Sequence, residues 1–284
     1  MSVSAPKKAD AIASAMIKAG FIPAFLCPFI STQDAFMMLR ALVMLLLSAP
    51  VAADSVVFAA GNSMPPYVIP GTQNGIALER VRAALTLQNL QLQVLFGSNS
   101  ENLTAFQSGA ADAILIAIKD SPETYTSSQP IMTLRNVAIS LKPRTLQQIS
   151  DLARYRVGAF SLASQLLPQP FAETVQRSPS YKEYPRQIEQ VRALFANEQD
   201  VLIMERTIFR YFFSQLRQQD PANPVYQQPP IYYELFPHSR YFAGFRDPQL
   251  RDQFDLGLQQ LQRQGDYDAI RTRYEQLMDD YLLR

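Results

Sequence analysis

From Ser55 onward the chain alternates between short apolar blocks and longer stretches in which apolar residues recur every three or four positions. The blocks predict strands and the recurring pattern predicts helices. Strands are expected at Ser55–Ala60, Leu92–Phe96, Ala113–Ile118, Asn136–Leu141, Asp200–Glu205, Tyr232–Pro237 and Tyr241–Phe245. A first helix opens at Gly75, with Ile76, Val81, Ala84 and Leu85 on one face and Arg80 and Arg82 outside. Ser98 and Glu101 form a capping-box pattern that starts a second helix ending at Gly109. Ile188–Phe195 is amphipathic, and Asp247-Pro248 starts a helix lined by Leu250, Phe254, Leu258 and Leu261 up to Gly265. Ile270, Tyr274 and Leu277 continue the pattern in a last helix.

Ala113–Ile118 has no polar alternation, so it must be covered on both faces, as strands of a parallel α/β sheet are. The carboxyl end of such a strand, here Ile118–Lys119, is where an open α/β sheet places a ligand. Met64-Pro65-Pro66-Tyr67 follows the first strand, held stiff by its prolines. Tyr67 there is either a ligand platform or an anchor packed on the sheet. Glu205 ends an apolar strand and starts a helix, which places its carboxylate at a crevice or makes it a surface cap.

The amino terminus changes the boundaries. Arg40, an apolar run from Ala41, and Val51-Ala52-Ala53 have the order of a secretory signal peptide, with cleavage expected after Ala53. The apolar run is too short to span a bilayer, so no stable membrane insertion is expected after processing. We read 1–53 as a leader, in which 1–36 follow from an over-called start, or else make the leader an unusually long one, and 37–53 form the signal. Cys27, the single cysteine, lies in that leader, so the mature chain has no thiol chemistry. Removing the four basic and two acidic residues of 1–53 leaves 22 basic against 23 acidic. With no basic stripe, nucleic acid is not an expected partner.

No catalytic motif emerges. His238 is the lone histidine, and without a second one or a cysteine a transition-metal site is not expected. No phosphate loop or nucleophile elbow occurs, and no cofactor is expected.

Leu103 to Thr124, LTAFQSGAADAILIAIKDSPET, resembles the core of bacterial periplasmic solute-binding proteins of family 3, the polar amino-acid class. Gly75–Glu79, Ile149–Ala159, Asp200–Glu205 and the stretch from Asp247 are similar to further family motifs. The resemblance implies an α/β, two-lobed periplasmic-binding-protein-like fold: in each lobe a mostly parallel sheet flanked by helices, with two hinge crossings. The lobes are expected at 54–141 and 142–237, with 238–284 returning to the first. It also implies a periplasmic location and a small polar ligand held between the lobes by Tyr67, Ile118, Lys119, Ser121, Phe160, Ser161 and Glu205, the last taking an amino group.

Two departures bear on that ligand. The family Arg that grips a ligand carboxylate is Thr124 here, and the family Gly-Thr, whose backbone and hydroxyl receive that carboxylate, is Leu162-Ala163. A neutral hydroxyl cannot replace a guanidinium fork. The ligand is therefore not expected to be a standard α-amino acid held in the usual way, and Lys119 or Arg135 is the candidate replacement cation. The expected partner is an ABC permease or a membrane sensor, and the expected state is a monomer. The alternative is a dehydratase-like periplasmic enzyme on the same scaffold, with Glu205 or Glu123 as acid or base.

Overall fold

A computed structural model describes residues 54–69, 71–118 and 123–282, the backbone alone for 279–282. The leader expectation, Lys119 and Ser121 lie outside the described residues.

Two five-stranded mixed sheets organise the chain. The first runs β2 (Gln91–Gly97), β1 (Ser55–Gly61), β3 (Ala113–Ile114), β12 (Gly244–Phe245) and β4 (Tyr125–Thr126). β1 pairs in parallel with β2 and β3, and β12 closes antiparallel on β3 and β4. The second runs β10 (Ile231–Tyr233), β6 (Asn136–Ser140), β9 (Val201–Glu205), β7 (Arg156–Phe160) and β8 (Ser180–Tyr184). A ribbon of β5 (Met132–Leu134) against β11 (Ser239–Tyr241) lies where the chain passes between the sheets.

Asn136–Ser140, expected in the first lobe, is hydrogen-bonded into the second sheet, so the first passage falls at Arg135 and not after Leu141. Ala113–Ile118 forms a ladder only at Ala113–Ile114. Beyond it the backbone stays satisfied outside the sheet, with Leu115 N–H on the Ala59 carbonyl and Ala117 N–H on the Phe242 carbonyl.

Eight α-helices among the described residues cover these sheets: α1 Ile76–Thr86, α2 Asn99–Ser108, α3 Ala163–Leu166, α4 Phe171–Val175, α5 Gln187–Phe195, α6 Arg206–Gln219, α7 Pro248–Gln264 and α8 Asp266–Leu282. α2 carries the expected capping box: Ser98 N–H donates to Glu101 Oε2 at 2.7 Å, and Glu101 N–H donates to Ser98 Oγ at 3.3 Å. Gly109 ends it at φ 83°, the left-handed region a glycine enters without strain. α7 packs so closely on α1 that a Cβ at Gly257 would lie 2.0 Å from the Ala84 carbonyl oxygen. The first core stacks Phe58, Phe245 and Phe254, with ring centroids 5.0–6.0 Å apart.

Two face assignments differ from expectation. Arg80 is buried, because Ile76, Arg80 and Ala84 are spaced by four and share the inward stripe of α1. In α8, Met278 is buried in the series Ile270, Tyr274, Met278, and Leu277 is 57% exposed.

Candidate functional site

β9 delivers Glu205 at its carboxyl end, opposite Asn136 of β6. Glu205 is the N-cap of α6, and its Oε2 accepts from Ile208 N–H at 2.9 Å. The carboxyl is 4% exposed. Burial raises its pKa to about 7, against the opposing pull of donors at Ile208, Thr207 and Arg135. Asn136 Nδ2 donates to Ser239 Oγ and Tyr241 Oη, both at 3.2 Å, which fixes the amide beside the carboxyl.

Glu205, Asn136 and Tyr241 share a crevice between the two sheets with Met64, Phe160 and Gln187. Its free volume is about 20 Å³. A single water needs ~10–15 Å³, so the crevice is shut to anything much larger. Hydrogen bonds across the seam hold it shut. Asn99 Nδ2 donates to the Ser161 carbonyl at 2.9 Å, and Ser100 N–H to Ser161 Oγ at 3.2 Å. Gln187 donates through N–H to Ser63 Oγ at 3.2 Å and through Nε2 to the Ser63 carbonyl at 2.8 Å.

The residues expected at the site are distributed unequally. Glu205 and Phe160 line the crevice, and Ser161 is part of the seam beside it. Ile118 lines a separate gap of about 10 Å³ with Leu162 and Leu166. Tyr67 lines a different and larger cavity, where burial and then the Glu205 and Glu275 carboxylates push its hydroxyl pKa up. Arg135, the alternative cation, is about half exposed and paired with Glu234 at 2.9 Å, away from the crevice.

Sequence reasoning missed Met64, Asn136 and Gln187 on the crevice wall, and Ser63 and Asn99 on the seam. It also missed Glu183. The amides at the start of α3, where the resemblance implies a ligand carboxylate, are taken by this side chain. Leu162 N–H donates to Glu183 Oε2 at 2.6 Å and Ser164 N–H to Oε1 at 3.0 Å. Ser164 Oγ and Tyr181 Oη donate to the same Oε1 at 2.8 and 2.7 Å. β8 was not among the expected strands, because Ser180–Tyr184 contains no apolar block to mark it.

Among the described residues no group of three or more His, Cys, Asp or Glu is placed to hold a metal ion. No helix among them is long and apolar enough to cross a membrane.

Comparison of the sequence with protein-family profiles and with curated proteins finds no match. Comparison of the fold finds many solved structures. The chain is similar to AbpA, the substrate-binding protein of an amino-acid ABC transporter from Streptococcus pneumoniae, bound to L-arginine: TM-score 0.60, 21% identity, 80% of this chain and 94% of that one. It is similar to a histidine kinase sensor domain that itself resembles periplasmic binding proteins: TM-score 0.64, 18% identity, 78% and 96%. It is also similar to AncCDT-1, an ancestral amino-acid-binding protein and precursor of cyclohexadienyl dehydratase: TM-score 0.60, 14% identity, 78% and 95%. Two sheet units, a paired passage between them and these likenesses together give the chain the two-lobed α/β fold of the periplasmic amino-acid-binding proteins.

Proposed function

We propose that this chain is an exported binding protein that captures a small amine-bearing solute between its lobes and presents it to a membrane partner, an ABC permease or a sensor. Binding comes first in this reading because the structural relatives are solute-binding proteins and a sensor domain. The observation that carries the ligand class is the contrast between Glu205 and Glu183. One buried carboxyl faces the crevice and matches a cationic amine, while the amides that would receive a ligand carboxylate already hold the chain's own. An ammonium brought against Glu205 favours its ionised form, so capture of an amine below about pH 7 releases a proton.

The crevice must open to admit any such ligand. The natural hinge is at Arg135 and the segment before Ser239, where both passages run side by side and a few backbone torsions can swing one lobe against the other. Closure then re-forms the Asn99, Ser161, Gln187 and Ser63 contacts.

The test is a matched pair in titration calorimetry. Agmatine, which is arginine without its carboxylate, binds at least as tightly as arginine if Glu183 has taken the carboxylate site. Arginine binding tenfold or more tightly than agmatine, about 1.4 kcal/mol, overturns the assignment.

A second reading rests on the same residue. A carboxyl with pKa about 7 suits general acid–base work, and one structural relative is a precursor of a dehydratase. Mass spectrometry of the bound small molecule separates the two: ligand recovered intact supports capture, and a dehydrated product supports turnover.

A further inference from the structure

Behind the paired passage lies a cavity of about 620 Å³, distinct from the crevice at Glu205. Its wall is built from α1, α8 and the Tyr67 loop on one side of the passage, and from the first turns of α6 on the other. Ordinary small-molecule sites occupy ~300–1,000 Å³, so the space is of ligand size.

The wall has an unbalanced charge. Three guanidinium groups, Arg80, Arg210 and Arg271, face one carboxylate, Glu275. Glu275 lies 3.7 Å from Arg271, which also pairs with Asp268 at 3.3 Å, so the acid is already engaged. Arg80 is the informative residue. It is 5% exposed on the inward stripe of α1, and no carboxylate among the described residues lies within ion-pair distance of it. Among the described residues its donors reach carbonyls: Nε and Nη2 to Tyr267 at 3.2 and 3.0 Å, and Nη1 to Ile131 at 3.1 Å. Its plane lies 3.5 Å over the Tyr267 ring. These contacts hold the group in place and satisfy part of its hydrogen bonding, yet none is a direct ion pair, and Asp268, which acts on it from farther off, is already engaged by Arg271. A buried charge without a direct ion-pair partner is costly, and an anion in the adjoining space lowers that cost.

Apolar surface from Met132 and Met278 lines the rest of the cavity. We propose that this cavity is a second binding site, for an organic anion that places a carboxylate or phosphate toward Arg80 and Arg210 and lays an apolar body against the two methionines. Because its walls come from both sides of the passage, an occupant bridges the two lobes.

Octanoate, octyl phosphate and neutral 1-octanol, titrated by calorimetry against the purified chain, test this. Either anion is expected to bind one-to-one and at least tenfold more tightly than octanol, and the tighter of the two identifies the head group. Arg80→Met is expected to weaken the anion at least tenfold. Should that variant fail to fold, exposed Arg210→Ala gives the same reading, with a loss of at least threefold. Octanol binding as tightly as the anions, neither anion binding, or unchanged affinity in Arg210→Ala overturns the proposal.

Discussion

Glu205 should make the fold less stable as the solution becomes more alkaline, which is the reverse of what an ion-paired carboxylate does. In the folded chain burial raises its pKa from the ordinary 4.5 to about 7, so between those values the folded state holds a proton that the unfolded state has lost. Stability then falls as pH rises, because the side binding more protons is the native one. The stabilisation is fully present below about pH 4.5 and gone above about pH 7. The displacement corresponds to about 3 kcal/mol in total, of which ~2–3 kcal/mol lies between about pH 5 and pH 8. Glu205→Gln keeps an oxygen able to accept from Ile208 N–H and removes the titration. Urea unfolding of both proteins across that range is the assay. The variant should gain on the parent by ~2–3 kcal/mol from pH 5 to pH 8, which is roughly 1 M in urea midpoint for a slope of ~2–3 kcal/mol/M. Asp151, Asp200 and Glu101 have lowered pKa values and titrate below this window, and the difference between the proteins cancels them in any case. Parallel curves across the window would refute the reasoning.

Further outcomes follow from other contacts. Gln187→Ala removes the side-chain donor to the Ser63 carbonyl, worth ~0.5–1.5 kcal/mol, while its backbone N–H to Ser63 Oγ stays, and should shift the chain toward an open form with a larger radius of gyration by X-ray scattering. An unchanged radius in that variant and in Asn99→Ala would mean the seam does not hold the crevice shut. Gly257→Ala places a methyl against the Ala84 carbonyl and forces α7 off α1, costing on the order of 3 kcal/mol. A drop in Tm of ~6–12 °C is expected, and none would contradict the close packing. Glu183→Gln weakens the charge-assisted bonds to Leu162 and Ser164, so arginine should gain on agmatine in the same calorimetric pair. Mass spectrometry of the exported chain should find Asp54 as its first residue, and an intact 1–53 would refute the signal-peptide reading.

The sequence made the architecture readable where one principle decided each element. Ser98 with Glu101, and Asp247-Pro248 with Gly265, marked helix ends because caps are local chemistry. Apolar blocks marked β1, β6 and β9 because a strand covered on both faces has no polar position to show. Sheet membership was not readable, since Asn136–Ser140 has the same composition whichever sheet accepts it. Arg80 was misplaced because its charge outweighed its spacing, although i, i+4 periodicity with Ile76 and Ala84 already put it inside. Glu205 was visible as an acid ending an apolar strand. Its neighbours Met64, Asn136 and Gln187 come from segments far apart in the chain, and only the fold brings them to one crevice. Glu183 was hidden for a similar reason: a carboxylate that caps another element's amides reads in sequence as one more polar residue.

The central claim is that the two lobes close on an amine held against Glu205. Native mass spectrometry of the chain purified from the exported fraction, beside Glu205→Ala purified in the same way, tests it most directly. The account predicts a co-purifying small molecule with an amino group on the parent and its loss from the variant. The same molecule carried by both the parent and the Glu205→Ala variant, or a parent that binds no amine when challenged, would contradict it.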